Sequence, residues 1–520
     1  MKKKPVQGKT GLSIGLISLV GLIALANVAL HLFFYNTLEF HRDELLYFSL
    51  GRHLSAGYAS VPPFTGLMAF IMINTIGSTL FAARFLPAIF SGFLVVIAVL
   101  MAREMKGNRF AMILTAVGVV ILPVNLRAFF LFQPVFLDIF FWSLVFYLVI
   151  LWINTKKEIF LILLGIATGL GIMNKYLIIL QILCIACVFL LSKNRQIFKT
   201  RSLYIGILLA LLIILPNIIW QIMNHFPVIT HMQALNDSQL VNVNRMSFLI
   251  EQLLLGFMAS VIILPGIFYT LFNKSMNAWR HLVIASLMVV LILVLLRGKS
   301  YYTAGLLPFM VATGAVFWGK VTRSSWLKMC LIVIPVLVTI PFIPMGIPVF
   351  KAERLASYFK WMKNNVGLDV VLRDEDGFYH ELPQDYSDMI GWEELTANVN
   401  KAYQQIKDKE SCFIFCENYG QAGAVTVLGK KYGLPQPVCF SESFYYWAPK
   451  ELPVEIRSVI YVNDDLSEDL GDIFLDMQVI GRINNPLARE SGTTVYLYQK
   501  PGSSFNDFWK KRVGQVKSPF

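Results

Sequence analysis

Phe40-His41-Arg42-Asp43-Glu44 follows closely on the first long apolar stretch of the chain, residues 11–34. That junction decides the reading of the fold. About 20 apolar residues are enough to cross a bilayer as a helix, so such a helix delivers two carboxylates to the membrane surface. Amphipathic sequence follows them rather than a free loop. Carboxylates in or near lipid are costly and are kept where they bind or react. Asp43 and Glu44 therefore point to chemistry at the mouth of a membrane cavity. No small-x-small cleavage site precedes the pair, so residues 11–34 read as an anchor rather than a cleaved leader. Lys2, Lys3, Lys4 and Lys9 hold the N-terminus on the cytoplasmic side.

Outward from this junction the chain stays apolar. Of its 520 residues, 56% are hydrophobic and 15% charged, against about 25% charged in a soluble domain. The net charge of +13 does not signal nucleic acid, because Lys and Arg cluster in short gaps between apolar runs. That is the positive-inside pattern of a polytopic membrane protein. The runs predict about eleven spanning helices, near 11–34, 79–101, 109–126, 135–154, 158–173, 176–191, 202–220, 248–272, 282–296, 304–319 and 328–349. The even gaps hold most of the cations and are read as cytoplasmic. An odd number of spans then puts the C-terminal part outside.

Two outer loops are long. The first, about 36–78, contains the runs 45–54 and 64–76, too short or interrupted to span and read as helices in the interface plane. Pro62-Pro63 breaks between them. The second, about 221–247, carries His225, His231, Asp237 and Arg245. Residues 1–349 thus form a transmembrane domain. From about 350 to 520 the charge rises and short strand-like runs alternate with helical ones, which predicts an extracytoplasmic α/β domain. The six cysteines form no framework. Cys184 and Cys187 lie within an apolar helix, and Cys412 and Cys416 share one strand, where a disulfide is geometrically poor.

Asp43 is read as a general base, with Glu44 tuning it or binding a metal; the alternative is a solvated charge pair with Arg42. Arg84, Arg127, Lys175 and Lys299 are lone cations at outer helix ends. Together they could converge on a phosphate at the membrane surface; singly, each could be an anchor snorkelling to the interface. Asp138, after Gln133-Pro134, caps a helix or faces the cavity. His225 and His231 lack the spacing of a metal signature, although His231 can reach a substrate cavity from its loop. Tyr301 and Tyr302 are interfacial aromatics or line the site. Gly169-x-Gly171 reads as helix packing.

The ordered set of these residues resembles glycosyltransferase family 39, the group of protein O-mannosyltransferases and the bacterial transferases that add aminoarabinose to lipid A. The resemblance covers about residues 11–345. It rests on Asp43-Glu44 opening the first loop, Pro62-Pro63 after Gly57-Tyr58, and Ala83-Arg84-Phe85-Leu86-Pro87. Further matches are Gln133-Pro134 with Asp138, Gly169-Leu170-Gly171-Ile172-Met173-Asn174-Lys175, and Gly298-Lys299-Ser300-Tyr301-Tyr302 before Leu307-Pro308. It implies a GT-C fold and a polyprenyl-phosphate-linked sugar donor, with Asp43 as base and Lys175, Lys299 and Arg84 near the donor phosphate. Many members carry an acidic residue or Lys just before Pro-Pro, where this chain has Ser60-Val61; no metal or other cofactor is predicted.

The expected activity is an inverting transfer on the outer face of a bacterial cytoplasmic membrane, to a hydroxyl of an envelope glycan, lipid or protein. A polyprenyl-linked saccharide flippase and an envelope-assembly scaffold are the competing readings. A flippase usually shows internal repeats, which this sequence lacks, and neither competitor calls for a long outer loop opening on a carboxylate pair.

Overall fold

The computed structural model describes residues 13–374 and 377–520; Lys2, Lys3, Lys4 and Lys9 lie outside the described residues. Ser13 starts helix α1 (Ile14–Phe33) by accepting the Leu16 amide. The first loop supplies α2 (Arg42–Arg52) and α3 (Phe64–Thr75), and Thr79 caps the long α4 (Leu80–Glu104). Among the described residues seven helices are long and apolar enough to cross a membrane: α1, α4, Pro134–Thr155, Arg201–Met223, Arg245–Phe272, Ser300–Val321 and Ser325–Met345. Ile178–Leu190 with Lys193–Lys199 makes a further candidate, bent by 112°.

The remaining expected spans are apolar helices of reduced length: Arg109–Val120, Ile159–Asn174 and Arg280–Leu295. Each of the eleven predicted segments is thus helical, but not each is long enough to span. The 16 residues of Ile159–Asn174 rise only about 24 Å, against roughly 30 Å of hydrocarbon. The helix ends early, and Lys175, its C-cap residue, is left half-buried within the fold. The second long loop, about 221–247, contains the helix Pro227–Ser238, begun by a proline at its first position.

α3 keeps Leu67, Phe70 and Ile71 exposed, as a helix at a bilayer surface does. α2 departs from the interfacial expectation, because Glu44 through Gly51 are all buried. A helix of the C-terminal region, Tyr419–Leu428, lies directly on it. Two glycines make that approach possible. A Cβ on Gly423 would lie 2.9 Å from the Leu45 Cβ, and one on Gly420 would lie 2.8 Å from the Arg42 Cγ.

The C-terminal region carries a four-stranded sheet of β1 (Cys412–Cys416), β2 (Ser458–Asn463), β3 (Phe474–Arg482) and β4 (Thr494–Pro501), in the order β1-β2-β4-β3. β1 and β2 run parallel, with Tyr419–Leu428 between them in sequence; the other pairs are antiparallel. Side chains alternate across the strands. Phe413, Val459, Tyr461 and Tyr498 face Phe505 and Trp509 in one core. Ile414, Ile460 and Leu497 face the opposite way, into a core that also holds Trp392, Phe359, Phe48 and Phe132. That second core runs without a break from the C-terminal region into the membrane helices.

Candidate active site

The site is built at the start of α2. His41 is its N-cap: the Nδ1 atom accepts the Asp43 amide at 3.1 Å, and Glu44 Oε2 accepts the His41 amide at 2.9 Å. This reciprocal cap is a capping box with histidine in the place usually held by serine or threonine. Because Nδ1 accepts, the ring proton sits on Nε2, which faces Asp385 at 3.7 Å and Asp388 at 3.9 Å.

Asp43 lies in the first helical turn, where the helix dipole favours a negative charge. Its Oδ1 accepts the Tyr419 hydroxyl at 3.0 Å, and its Oδ2 accepts the Gln133 side-chain amide at 3.0 Å. One donor comes from the C-terminal region, the other from the entry to Pro134–Thr155. Asp43 is half-buried, and a carboxylate offers about four acceptor positions, so further hydrogen bonds are open to it. Arg42 lies over the Tyr419 ring at 4.3 Å and 4.0 Å from Glu490, which keeps that tyrosine in place.

Glu44 and Arg84 do not serve as the sequence led us to expect. Arg84 is 1% and Glu44 0% exposed, and they pair at 3.0 Å. Glu44 Oε1 also accepts the Phe132 amide at 2.8 Å. Arg84 donates to the carbonyls of Phe130 and Glu39 and lies 4.2 Å over the Phe130 ring. Both charges are consumed inside the protein, so Arg84 is not available to a donor phosphate. Glu44 is not a neighbour that tunes or binds a metal; it anchors α2.

Arg127 is likewise engaged, by Asp385 through its Nε and by Gln133 Oε1 at 3.4 Å. Gln133 thereby joins Arg127 to Asp43. Burial raises the affinity of the Asp385 carboxyl for a proton, but Arg127 and His41 outweigh it and hold its pKa well below the ordinary range. The four outer cations therefore do not converge. Three face carboxylates of their own, Arg84 facing Glu44, Arg127 facing Asp385 and Lys175 facing Asp138, and the charge of Lys299 acts on Lys175.

Asp138 is not a cap. It accepts the Trp142 indole at 2.9 Å and lies 4.0 Å from the Lys175 ammonium. That ammonium also stands 5.1 Å from the Tyr301 ring and 4.8 Å from the Tyr302 ring. Early termination of Ile159–Asn174 and the tight turn Ser300–Leu306 bring these residues together. The charge of Lys299 reaches His231, whose ring lies 4.8 Å from that of Phe520. Tyr47, one turn beyond Asp43 on α2, is buried. No group of three or more His, Cys, Asp or Glu suited to a metal occurs among the described residues, and all six cysteines are free.

Several residues of the site are absent from the sequence expectations: His41, Gln133 and Tyr419 as partners of Asp43, Asp385 and Asp388 behind them, and Glu442. His41 and Gln133 stand in stretches quoted above, Gln133 within the Gln133-Pro134 match, but nothing there marks either as a partner of Asp43. Glu442 is buried beside Ser60; burial, reinforced by the charge of Asp43 and opposed by Ser60 and Arg42, pushes its carboxyl up to about 7.

Residues 60–220 match the sequence profile of the dolichyl-phosphate-mannose-protein mannosyltransferase family. No curated protein is similar in sequence. The crystal structure of ArnT from Cupriavidus metallidurans bound to undecaprenyl phosphate is similar in fold, with a TM-score of 0.63 at 13% identity, covering 93% of this chain and 98% of that one. Its apo form gives 0.61 at 13% identity, over 93% and 97%. The chain shares the fold of these two structures, and the resemblance read from the sequence is met by the profile match over residues 60–220.

Proposed function

We propose that this protein is a membrane glycosyltransferase that moves a sugar from a polyprenyl-phosphate donor to an acceptor hydroxyl, with inversion, on the outer face of a bacterial cytoplasmic membrane. The observation that carries the reading is Asp43, half-buried at the start of α2 and oriented from two sides by Tyr419 and Gln133. The likeness to an undecaprenyl-phosphate-bound transferase supports the donor class.

In this mechanism the acceptor O–H gives its proton to Asp43. The acceptor oxygen bonds to the anomeric carbon as the bond from that carbon to the phosphate oxygen breaks. Polyprenyl phosphate leaves as an anion and needs no general acid. Lys175 and Lys299 stabilise the charge that grows on it, with Asp138 and the two tyrosines fixing the Lys175 ammonium. Residues 350–520 form an extracytoplasmic unit in this reading, which closes the site over Asp43.

Asp43→Asn keeps the shape of the side chain and one acceptor oxygen but removes the base. We expect it to lower transfer from an undecaprenyl-phosphate sugar by about 10²-fold or more while leaving the thermal transition in place. Turnover within a few-fold of wild type would remove Asp43 from the mechanism.

A further inference from the structure

Gln133 is the N-cap residue of Pro134–Thr155, yet its side chain makes no cap hydrogen bond. It is buried and turns towards α2 instead, where its nitrogen donates to Asp43 Oδ2. A glutamine amide has an acceptor on one side and donors on the other, so it serves a carboxylate in only one of two orientations. Turned over, it would set a carbonyl oxygen against Asp43, and neither group can donate. Asp43 holds one end of this many-rotor side chain, and Arg127 holds the other. A guanidinium can only donate, and the Arg127 Nη1 gives its hydrogen bond to Gln133 Oε1 at 3.4 Å. Arg127, in the last turn of Pro123–Ala128, is gripped through its Nε by Asp385 of the short helix Gln384–Ser387. Asp385 in turn stands 3.7 Å from His41 Nε2, and His41 Nδ1 accepts the Asp43 amide. The contacts close a ring that leaves α2 at His41 and returns to it at Asp43.

We propose that Arg127, held by Asp385, is a positioning residue: it fixes the Gln133 amide so that the nitrogen faces Asp43. The C-terminal region then orients both oxygens of the base, Oδ1 directly through Tyr419 and Oδ2 through Asp385, Arg127 and Gln133. The assignment rests on the reading of Asp43 as base. Burial separates this ion pair from the one that anchors α2. The Arg127 and Asp385 side chains are 31% and 36% exposed, those of Arg84 and Glu44 1% and 0%. A pair so open to solvent adds little to stability, whereas its geometry still decides which way Gln133 points.

The test is a double-mutant cycle on the full-length protein in nanodiscs. It follows release of undecaprenyl phosphate from undecaprenyl-phosphate mannose and undecaprenyl-phosphate aminoarabinose, with a bacterial envelope extract as acceptor. Arg127→Met and Gln133→Met should each lower kcat about tenfold and leave the donor KM unchanged. The double variant should fall no further than either single one, because Arg127 acts only through Gln133. Losses that multiply to about a hundredfold, or a loss carried by the donor KM, would overturn the proposal; the second would mark Arg127 as a direct substrate contact. A structure of Arg127→Met supplies a readout without turnover. The Gln133 side chain should spread over more than one rotamer, and one still seated singly on Asp43 would overturn the proposal. No release by wild type, or full activity in Asp43→Asn, would count against the transferase reading, while that structure decides Arg127 separately.

Discussion

Asp43 and Arg84 are both charges set beside apolar sequence, yet they end in opposite circumstances. Asp43 was legible because it opens a loop at a predicted bilayer surface. Arg84 was not, because a lone cation at a helix end reads the same whether it awaits a phosphate or neutralises an internal carboxylate 40 positions away. The structure separates them by burial. Arg84→Ala should strand the Glu44 charge and destabilise the protein by about 3–5 kcal/mol, read as a lowered melting temperature. Tyr419→Phe removes one of the two donors that orient Asp43. It should reduce turnover by about tenfold, as expected for a hydrogen bond to a charged group, with donor affinity unchanged. Glu442 gives a pH signature. Its carboxyl is raised to about 7 against an ordinary 4.5, so the folded state prefers the protonated form. Its contribution to stability is fully present below about 4.5 and is lost as pH rises to about 7. Arg42, Asp43 and Ser60 act on it and remain in Glu442→Gln, so the melting temperature of that variant should gain on wild type across this window and run parallel to it above.

At the scale of elements, the positions of the helices were readable and their ends were not. Hydropathy marks Ile159–Asn174 as apolar, but the stop that leaves Lys175 inside the fold depends on what packs around it. α2 is the clearest case. Its sequence, with Arg42, Asp43, Glu44 and Arg52 around an apolar middle, reads as an interfacial helix because amphipathic periodicity does not say whether lipid or protein covers the apolar face. The cover is Tyr419–Leu428, and its signal was the pair Gly420 and Gly423, where a Cβ would meet Arg42 and Trp392 at the first and Leu45 at the second. Gly423→Val should therefore force the two helices apart, cost roughly 1–3 kcal/mol, and lower transfer by moving Tyr419 off Asp43. A variant with wild-type melting and turnover would mean that the contact is dispensable.

Over the whole molecule, the change of composition near residue 350 suggested an extracytoplasmic α/β domain. The helix–strand content there is as expected, but the core containing Leu355, Trp392 and Leu497 also contains Phe48 and Phe132. The C-terminal region also supplies Tyr419 and Asp385 to the neighbourhood of Asp43. Composition records what a segment is made of, not which apolar face it shares, so this fusion was invisible in sequence. Deleting residues 350–520 should leave a protein that inserts but has no transfer activity and melts at lower temperature than the full chain; full activity in the truncated protein would contradict this. The most direct test of the account is a structure of the full chain with undecaprenyl phosphate. We expect the phosphate within hydrogen-bonding reach of Lys175 and Lys299 and open towards Asp43. A phosphate bound elsewhere, with no path from it to Asp43, would contradict the transferase account.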